Sequence, residues 1–209
     1  MKSKFLKSKS IFYVVFLLVV VLLVFTFLIR QKGLRVREVI DGDTVILSNG
    51  EEVRYIGIDT PEESEPYFGE AKEFNRKMVE GKRVFLEYDD ERRDKYFRIL
   101  AYVWVESLLV NAELIKQGLA WVYSFRSNLR YRDYFVSLQK KAREKKIGVW
   151  SVPVSEEEYY VASQRSKQFV FHRPNCPHAK RILEKNKIIF KTREEALDLG
   201  YSPCRFCQP

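Results

Sequence analysis

The chain has 209 residues, enough for one full domain plus a small second unit. With 46% hydrophobic, 14% aromatic and 31% charged residues it can bury a core, which excludes a disordered chain. The formal charge of +9 does not describe a uniformly basic protein, because residues 1–30 carry five basic and no acidic side chains, 31–152 carry 22 and 21, and 153–209 carry ten and seven.

At the start, Lys2, Lys4, Lys7 and Lys9 precede a run from Ile11 to Ile29 that contains no charge, Gly or Pro, and Arg30 and Lys32 close it. At about 1.5 Å per residue such a helix covers roughly 28 Å, close to the apolar thickness of a bilayer. A core helix would show a polar face. A cleaved signal would have a shorter apolar run and a small-x-small site, and none is visible around Thr26 to Gly33. Residues 1–30 are therefore expected to form a signal anchor, single-pass in the cell membrane. The short basic leader places the N-terminus inside and the remainder on the extracytoplasmic side. Secretion after signal cleavage is the alternative.

From Leu34 the pattern is of short strands: Val36 to Ile40, Thr44 to Leu47, an Asn49-Gly50 hairpin turn, and Val53 to Ile58. Glu70 to Glu80 places Ala71, Phe74, Met78 and Val79 at helical spacing and stops at Gly81. Strands follow at Val84 to Tyr88 and Ile99 to Val105, flanking the charged loop Asp89 to Arg98. Val110 to Gln117, stopped by Gly118, and Arg132 to Lys146, stopped by Gly148, are the remaining helices. The expected fold for residues 31–152 is thus α+β, a small OB-type β-barrel with flanking helices, an architecture that commonly binds oligonucleotides. The stretch from Ser124 to Lys146 holds eight basic and two acidic residues, and predicts either a phosphate-attracting face or a solvated helix.

Three pieces of this segment carry chemistry: Ile40 to Val45 (IDGDTV), Val53-Arg54 through Glu62 (ending GIDTPE), and Asp94 to Arg98 (DKYFR). Hydrolysis of a phosphodiester needs a positive clamp on the non-bridging oxygens, a positioned water and a base. Asp43 and Asp59, at a strand entrance and a strand exit, can present hard oxygen ligands to Ca²⁺. Arg54 and Arg98 can each form paired bonds to phosphate oxygens. An EF-hand starting at Asp41 fails, because Val45 and Ile46 stand where a ligand and a Gly are needed.

In this order and spacing the pieces resemble the thermonuclease (micrococcal nuclease) family over about Leu34 to Trp150. The resemblance implies an OB barrel that attacks DNA and RNA and leaves 3′-phosphate ends. It further implies that Asp43, Asp59 and the Thr60 carbonyl hold calcium, that Arg54 and Arg98 are catalytic, and that Glu62 is the general base. Lys95 and Tyr96 match the nucleotide-contacting pair, Tyr123 a stacking or phosphate-contacting tyrosine, and Asp41 a residue beside the metal. Phe97 departs from the pattern, since the family commonly has Gly before the second arginine. A turn that needs φ > 0 would strain Phe there. A non-catalytic OB module that only binds nucleic acid is the competing reading, and the retention of Arg54, Glu62 and Arg98 argues against it.

After Trp150, residues 153–166, with Pro153 and the acidic run Glu156 to Glu158, read as a linker to a module at 167–209. All three cysteines lie in that module, as His172-x3-Cys176 and Cys204-x2-Cys207. The odd count opposes a closed disulfide set, and three Cys with one His complete a tetrahedral Zn²⁺ site. His172 and His178 compete for the fourth place. The motifs around Phe171 to Cys176 and Gly200 to Pro209 resemble the zinc-binding domain of the Ada DNA-repair methyltransferase, which favours His172. That family has Cys where this chain has His172, so its methyl-accepting thiolate is missing there. A structural zinc that supplies much of the module's folding energy is the expectation. DNA, RNA and a membrane are the implied partners.

Overall fold

The computed structural model describes residues 13, 15–22 and 34–209. Tyr13 and Val15 to Leu22 are helical. The rest of the expected membrane span lies outside the described residues. Among the described residues, no helix is long and apolar enough to cross a membrane. Leu34–Pro209 forms a compact unit of its own.

Five strands build the first half of this unit: β1 (Leu34–Val39), β2 (Thr44–Leu47), β3 (Glu52–Tyr55), β5 (Arg83–Glu87) and β6 (Ile99–Val105). A two-residue strand, β4 (Ile58–Asp59), follows β3. β1 pairs antiparallel with β2 and β5, β2 with β3, and β5 with β6. β3 then closes the ring by running parallel to β6, with Val53 opposite Ile99 and Tyr55 opposite Ala101. The closed five-stranded barrel with its helices is an OB fold. The hairpin between β2 and β3 turns where the sequence predicts, at Asn49 and Gly50. Gly50 adopts φ +87°, and the Asn49 side chain accepts from the Glu51 N–H at 3.1 Å.

Alternation along the strands sends Val36, Val45, Leu47, Val53, Tyr55 and Val103 inward. Three helices close over them: α1 (Phe68–Val79), α2 (Val110–Lys116) and α3 (Arg132–Glu144). They contribute Ala71 and Val79, Leu114 and Ile115, and Phe135 and Leu138 to one core. Two short strands, β7 (Leu108–Leu109) and β8 (Trp121–Val122), lack enough residues for a legible alternation. β8 pairs with β4, setting Ile58 opposite Val122 and Asp59 opposite Trp121. Gly118 and Gly148, read as helix stops, also meet each other. A Cβ on Gly148 would lie 2.0 Å from the Gly118 oxygen, and both backbones are left-handed. This approach lets the Val149 N–H donate to that oxygen at 2.8 Å.

The second half is a four-stranded sheet ordered β11, β9, β10, β12, built from β9 (Tyr160–Ser163), β10 (Val170–His172), β11 (Lys187–Phe190) and β12 (Ser202–Pro203). The short helices α4 (Pro177–Lys180) and α5 (Arg193–Asp198) complete it. β9 lies inside the 153–166 stretch read as a linker. Tyr160, Val161 and Ala162 are buried there, and the strand pairs on both sides. The acidic run before it masked this short apolar segment in the sequence.

The module packs on α3 and the turn after it. Trp150, Val149 and Ala142 share a core with Phe171, Phe190, Leu197 and Tyr201. The basic stretch from Ser124 to Lys146 is largely consumed by internal contacts. Arg126 donates to the Gln164 and Ser166 carbonyls, Arg132 to the Leu199 carbonyl, and Lys140 and Arg143 pair with Asp198. Arg130 pairs with Glu87. These five arginines and lysines hold the fold together, so the phosphate-attracting face expected there is mostly occupied.

Candidate active site and metal centre

The expected nuclease residues come from the turn before β2, from β3, from β4 and the loop after it, from the 89–98 loop and from the end of β8, and they line one cleft. Asp43, Arg54, Asp59, Thr60, Glu62, Lys95, Tyr96, Arg98 and Tyr123 all border it, together with Asp41 and Arg205. The cleft lies beside the turn that enters β2, the middle of β3 and the end of β4, with the 89–98 loop along it.

Arg54 sits mid-strand in β3, and its register opposite Thr44 brings it beside the Asp41–Asp43 turn. Its Nε lies 3.0 Å from Asp43 Oδ1 and its Nη2 2.8 Å from Asp59 Oδ1. Only 14% of its side chain is exposed. Burial disfavours the Arg54 charge, yet Asp43, Asp59 and Asp41 together outweigh that and raise its pKa. On the other side of the balance, burial raises the pKa of Asp59, Arg54 opposes it, and Asp43 adds to it. Asp41 is likewise raised, first by burial and then by Asp43. Crowded, desolvated carboxylates of this kind are a cation-seeking group.

The turn carrying Asp43 is held from several directions. Thr60 donates to Asp43 Oδ2 from its N–H at 2.8 Å and its hydroxyl at 3.1 Å. The Asp43 N–H donates to Asp41 Oδ1 at 2.9 Å. Gly42 is required here, since a Cβ would stand 2.7 Å from the Thr60 side chain. Asn75 of α1, wholly buried, donates to the Asp41 carbonyl at 3.0 Å and accepts from the Tyr55 hydroxyl at 2.9 Å. Its role as a brace is invisible in sequence because a lone Asn in a helix has no distinguishing pattern.

Arg98 approaches the cleft separately. Its Nε donates to Asp94 Oδ2 at 2.8 Å, while Asp94 Oδ1 accepts from the Tyr96 and Arg98 N–H groups at 2.9 and 3.0 Å. Asp94 therefore organises the loop. Phe97 adopts φ +68° there, the left-handed conformation that the family's Gly would take without cost. Arg98 is nevertheless oriented, because its bonds to Asp94 do not involve the Phe97 side chain, which is exposed. Lys95 lies over the Tyr96 ring at 4.8 Å and Arg98 over the same ring at 5.7 Å. Tyr123 is pushed up to about 12, first by burial and then by Asp59, so its phenol is protonated.

Arg205 was not anticipated. It lies between Cys204 and Cys207, and its guanidinium reaches across to the nuclease cleft. Nη2 and Nε meet the two oxygens of Asp59 at 2.6 and 2.7 Å, Nη2 meets the Thr60 carbonyl at 3.3 Å, and Nη1 pairs with Glu62. The cleft thus draws one residue from beyond the Leu34 to Trp150 stretch that carries the nuclease resemblance. The Cys-x2-Cys spacing fixes a tight turn, and nothing in it says where that turn docks.

In the same module, His172, Cys176, Cys204 and Cys207 bring their ligand atoms within 4.8 Å of one another. Tetrahedral zinc needs ligands roughly 3.3–3.8 Å apart, so a small contraction suffices. His172, not His178, completes the cluster. His172 is lowered to about 4 by burial and then by His178, so its imidazole is neutral and able to ligate. Burial resists ionisation of Cys176, but hydrogen bonds from the His178 N–H, the Cys207 thiol and the Ala179 N–H prevail and lower it. Burial and the neighbouring thiols push Cys207 up to about 12. Three thiols this close cannot all ionise without a cation, and the donor set of three sulfurs and one nitrogen is that of structural zinc.

Comparison with known proteins agrees with both halves. Residues 52–152 match the family described as Staphylococcal nuclease homologue, and 153–209 match the Metal binding domain of Ada. The chain is 40% identical to Thermonuclease of Staphylococcus intermedius over 131 residues, covering 58% of this chain and 78% of that protein. It is 38% identical to Thermonuclease of Staphylococcus hyicus over the same length and coverage. It is also 40% identical to Endonuclease YncB of Bacillus subtilis over 123 residues, 54% of this chain and 58% of that protein. With the barrel, the cleft and these relatives in agreement, the chain belongs to the staphylococcal nuclease homologue family.

Proposed function

We propose that the chain is a calcium-dependent phosphodiesterase that cuts DNA and RNA. The observation that carries this reading is the convergence of Asp43, Arg54, Asp59, Glu62 and Arg98 on one cleft. The donor set offered by Asp43, Asp59 and the Thr60 carbonyl is all hard oxygen, and two guanidinium groups already rest on Asp59. That set fits Ca²⁺. Calcium bound there would polarise the phosphate and orient the attacking water.

The chain's own residues supply the remainder. Arg54, fixed by two carboxylates, presents a guanidinium to a non-bridging oxygen, and Arg98 approaches from the 89–98 loop to share the charge that builds on phosphorus. Glu62, exposed at the cleft edge, takes the proton from the attacking water. Water oxygen bonds to phosphorus as the bond to the 5′ oxygen breaks, and the departing 5′ oxygen takes a proton from solvent, leaving a 3′-phosphate and a 5′-hydroxyl. Lys95, Tyr96 and Tyr123 border the space where the adjoining nucleotide would lie. The C-terminal module holds zinc through His172, Cys176, Cys204 and Cys207 as a structural ion.

The uncharged run from Ile11 to Ile29 supports a single-pass anchor in the cell membrane, with the nuclease on the extracytoplasmic side. Protease added to intact cells should then remove the activity, and activity released only by lysis would overturn this orientation. The chemistry is tested by mapping product ends. Digestion of a 5′-labelled oligonucleotide by the full chain in Ca²⁺ should yield fragments that phosphatase shifts on a gel. Fragments ending in 3′-hydroxyl would overturn the mechanism.

A further inference from the structure

The Cys204 to Cys207 turn serves two sites. Its cysteines belong to the zinc cluster, and Arg205 between them covers the nuclease groups proposed to handle calcium and water. The backbone on either side is pinned: the Cys204 N–H donates to the Phe171 carbonyl at 3.0 Å, and the Gln208 N–H to the Cys204 carbonyl at 2.8 Å. Gln208 in turn donates to Glu65 at 3.1 Å, tying the turn to the loop after Glu62. The zinc fold therefore delivers the guanidinium to a set place.

What it meets there is specific. Arg205 takes both oxygens of Asp59 as a fork and also the Thr60 carbonyl. These are two of the three groups that would ligate calcium. A cation at those oxygens must compete with the fork and meet its positive charge, and Arg54 already claims one of the two on Asp59. The Arg205 side chain is 44% exposed, so it has room to swing clear without unpacking a core.

We infer that Arg205 is a positioning residue that competes with calcium for Asp59 and Thr60, so that the zinc module sets the calcium concentration at which the nuclease site fills. The inference rests on the calcium reading of Asp43, Asp59 and Thr60. In this arrangement the observed calcium affinity is the intrinsic affinity reduced by the fraction of molecules in which Arg205 has let go. Release of Arg205 also frees Glu62, which ties occupancy of the metal site to availability of the base.

The test is calorimetric titration of CaCl₂ into the zinc-loaded full chain in detergent, without substrate. Arg205→Ala should tighten calcium binding about tenfold, the scale of one lost charge-assisted pair. Arg205→Lys, which keeps the charge but cannot fork, should fall between the two. Lys95→Ala, which removes a positive charge from the same cleft without touching Asp59, should change affinity less than twofold. Unchanged or weaker binding by Arg205→Ala overturns the inference, as does a gain no larger than that of Lys95→Ala. Zinc content measured on each variant confirms that the module is folded. If Arg205→Ala loses zinc, Arg205→Lys decides: tighter binding supports the inference and unchanged binding overturns it. Absence of calcium binding by the unaltered chain and by Arg205→Ala alike would overturn the calcium site itself, and this inference with it.

Discussion

Arg54 of β3 places Nη2 2.8 Å from Oδ1 of Asp59, the residue that ends β4 five positions later. One guanidinium thus bridges the turn that holds Asp43 and the strand end that holds Asp59. Arg54→Ala should lower turnover by about 10²- to 10³-fold, the scale of one lost transition-state donor. Arg54→Lys should not restore it, since an ammonium cannot span both carboxylates while meeting phosphate. Steady-state kinetics on a short oligonucleotide would show this, and full activity in Arg54→Lys would contradict it.

Arg98 depends on a different support. Arg98→Ala should lower turnover by about 10²- to 10³-fold, and because its bonds run to Asp94, Asp94→Ala should mimic much of that loss. If Asp94→Ala behaves like the unaltered chain, Asp94 does not position the arginine.

Glu62 stands exposed and makes its ion pair with Arg205 rather than with a structural partner. Glu62→Gln should therefore leave binding of a nucleotide 3′,5′-bisphosphate unchanged while cutting turnover, because a base acts on the barrier and not on the ground state. A loss of affinity with turnover preserved at saturation would assign Glu62 to binding.

Phe97 holds φ +68° with its ring 78% exposed. A non-glycine residue in that conformation costs about 1–2 kcal/mol, and little burial offsets it. Phe97→Gly should raise stability by about 1 kcal/mol, or roughly 2–4 °C in Tm for a unit of this size. A lowered Tm would mean that the ring contributes more than its exposure suggests.

The zinc cluster predicts about one equivalent of zinc in the purified protein. Cys204→Ser should release it and open the C-terminal module to protease, His172→Ala should weaken it, and His178→Ala should retain it. His178 packs against Phe206 and the His172 ring instead of joining the cluster. The opposite behaviour of the two histidines, read by metal analysis, would reassign the ligand.

Most of the barrel was legible because its strands alternate and its helices end at Gly81, Gly118 and Gly148, where a left-handed backbone favours glycine and, at Gly118 and Gly148, close approach leaves no space for a Cβ. The cleft was legible because Asp43, Arg54, Asp59 and Arg98 sit in motifs whose spacing is itself informative. What escaped was long-range. Asn75 braces a loop 34 residues away, and Arg205 reaches Asp59 across 146 residues. The α3 arginines and lysines looked like a phosphate-binding face because a sequence gives their charge but not the Leu199 carbonyl or the Asp198 carboxylate they meet. β9 was hidden for a related reason: four residues beside an acidic run show no periodicity until their partners β10 and β11 are known.

Asp43 and Asp59 are the groups on which the proposed calcium chemistry most directly depends. Cleavage of single-stranded DNA by the full chain should require Ca²⁺, stop in excess chelator, and fall to background in Asp43→Ala and Asp59→Ala at every calcium concentration tried. Equal cleavage with chelator present, or undiminished cleavage by either variant, would contradict it.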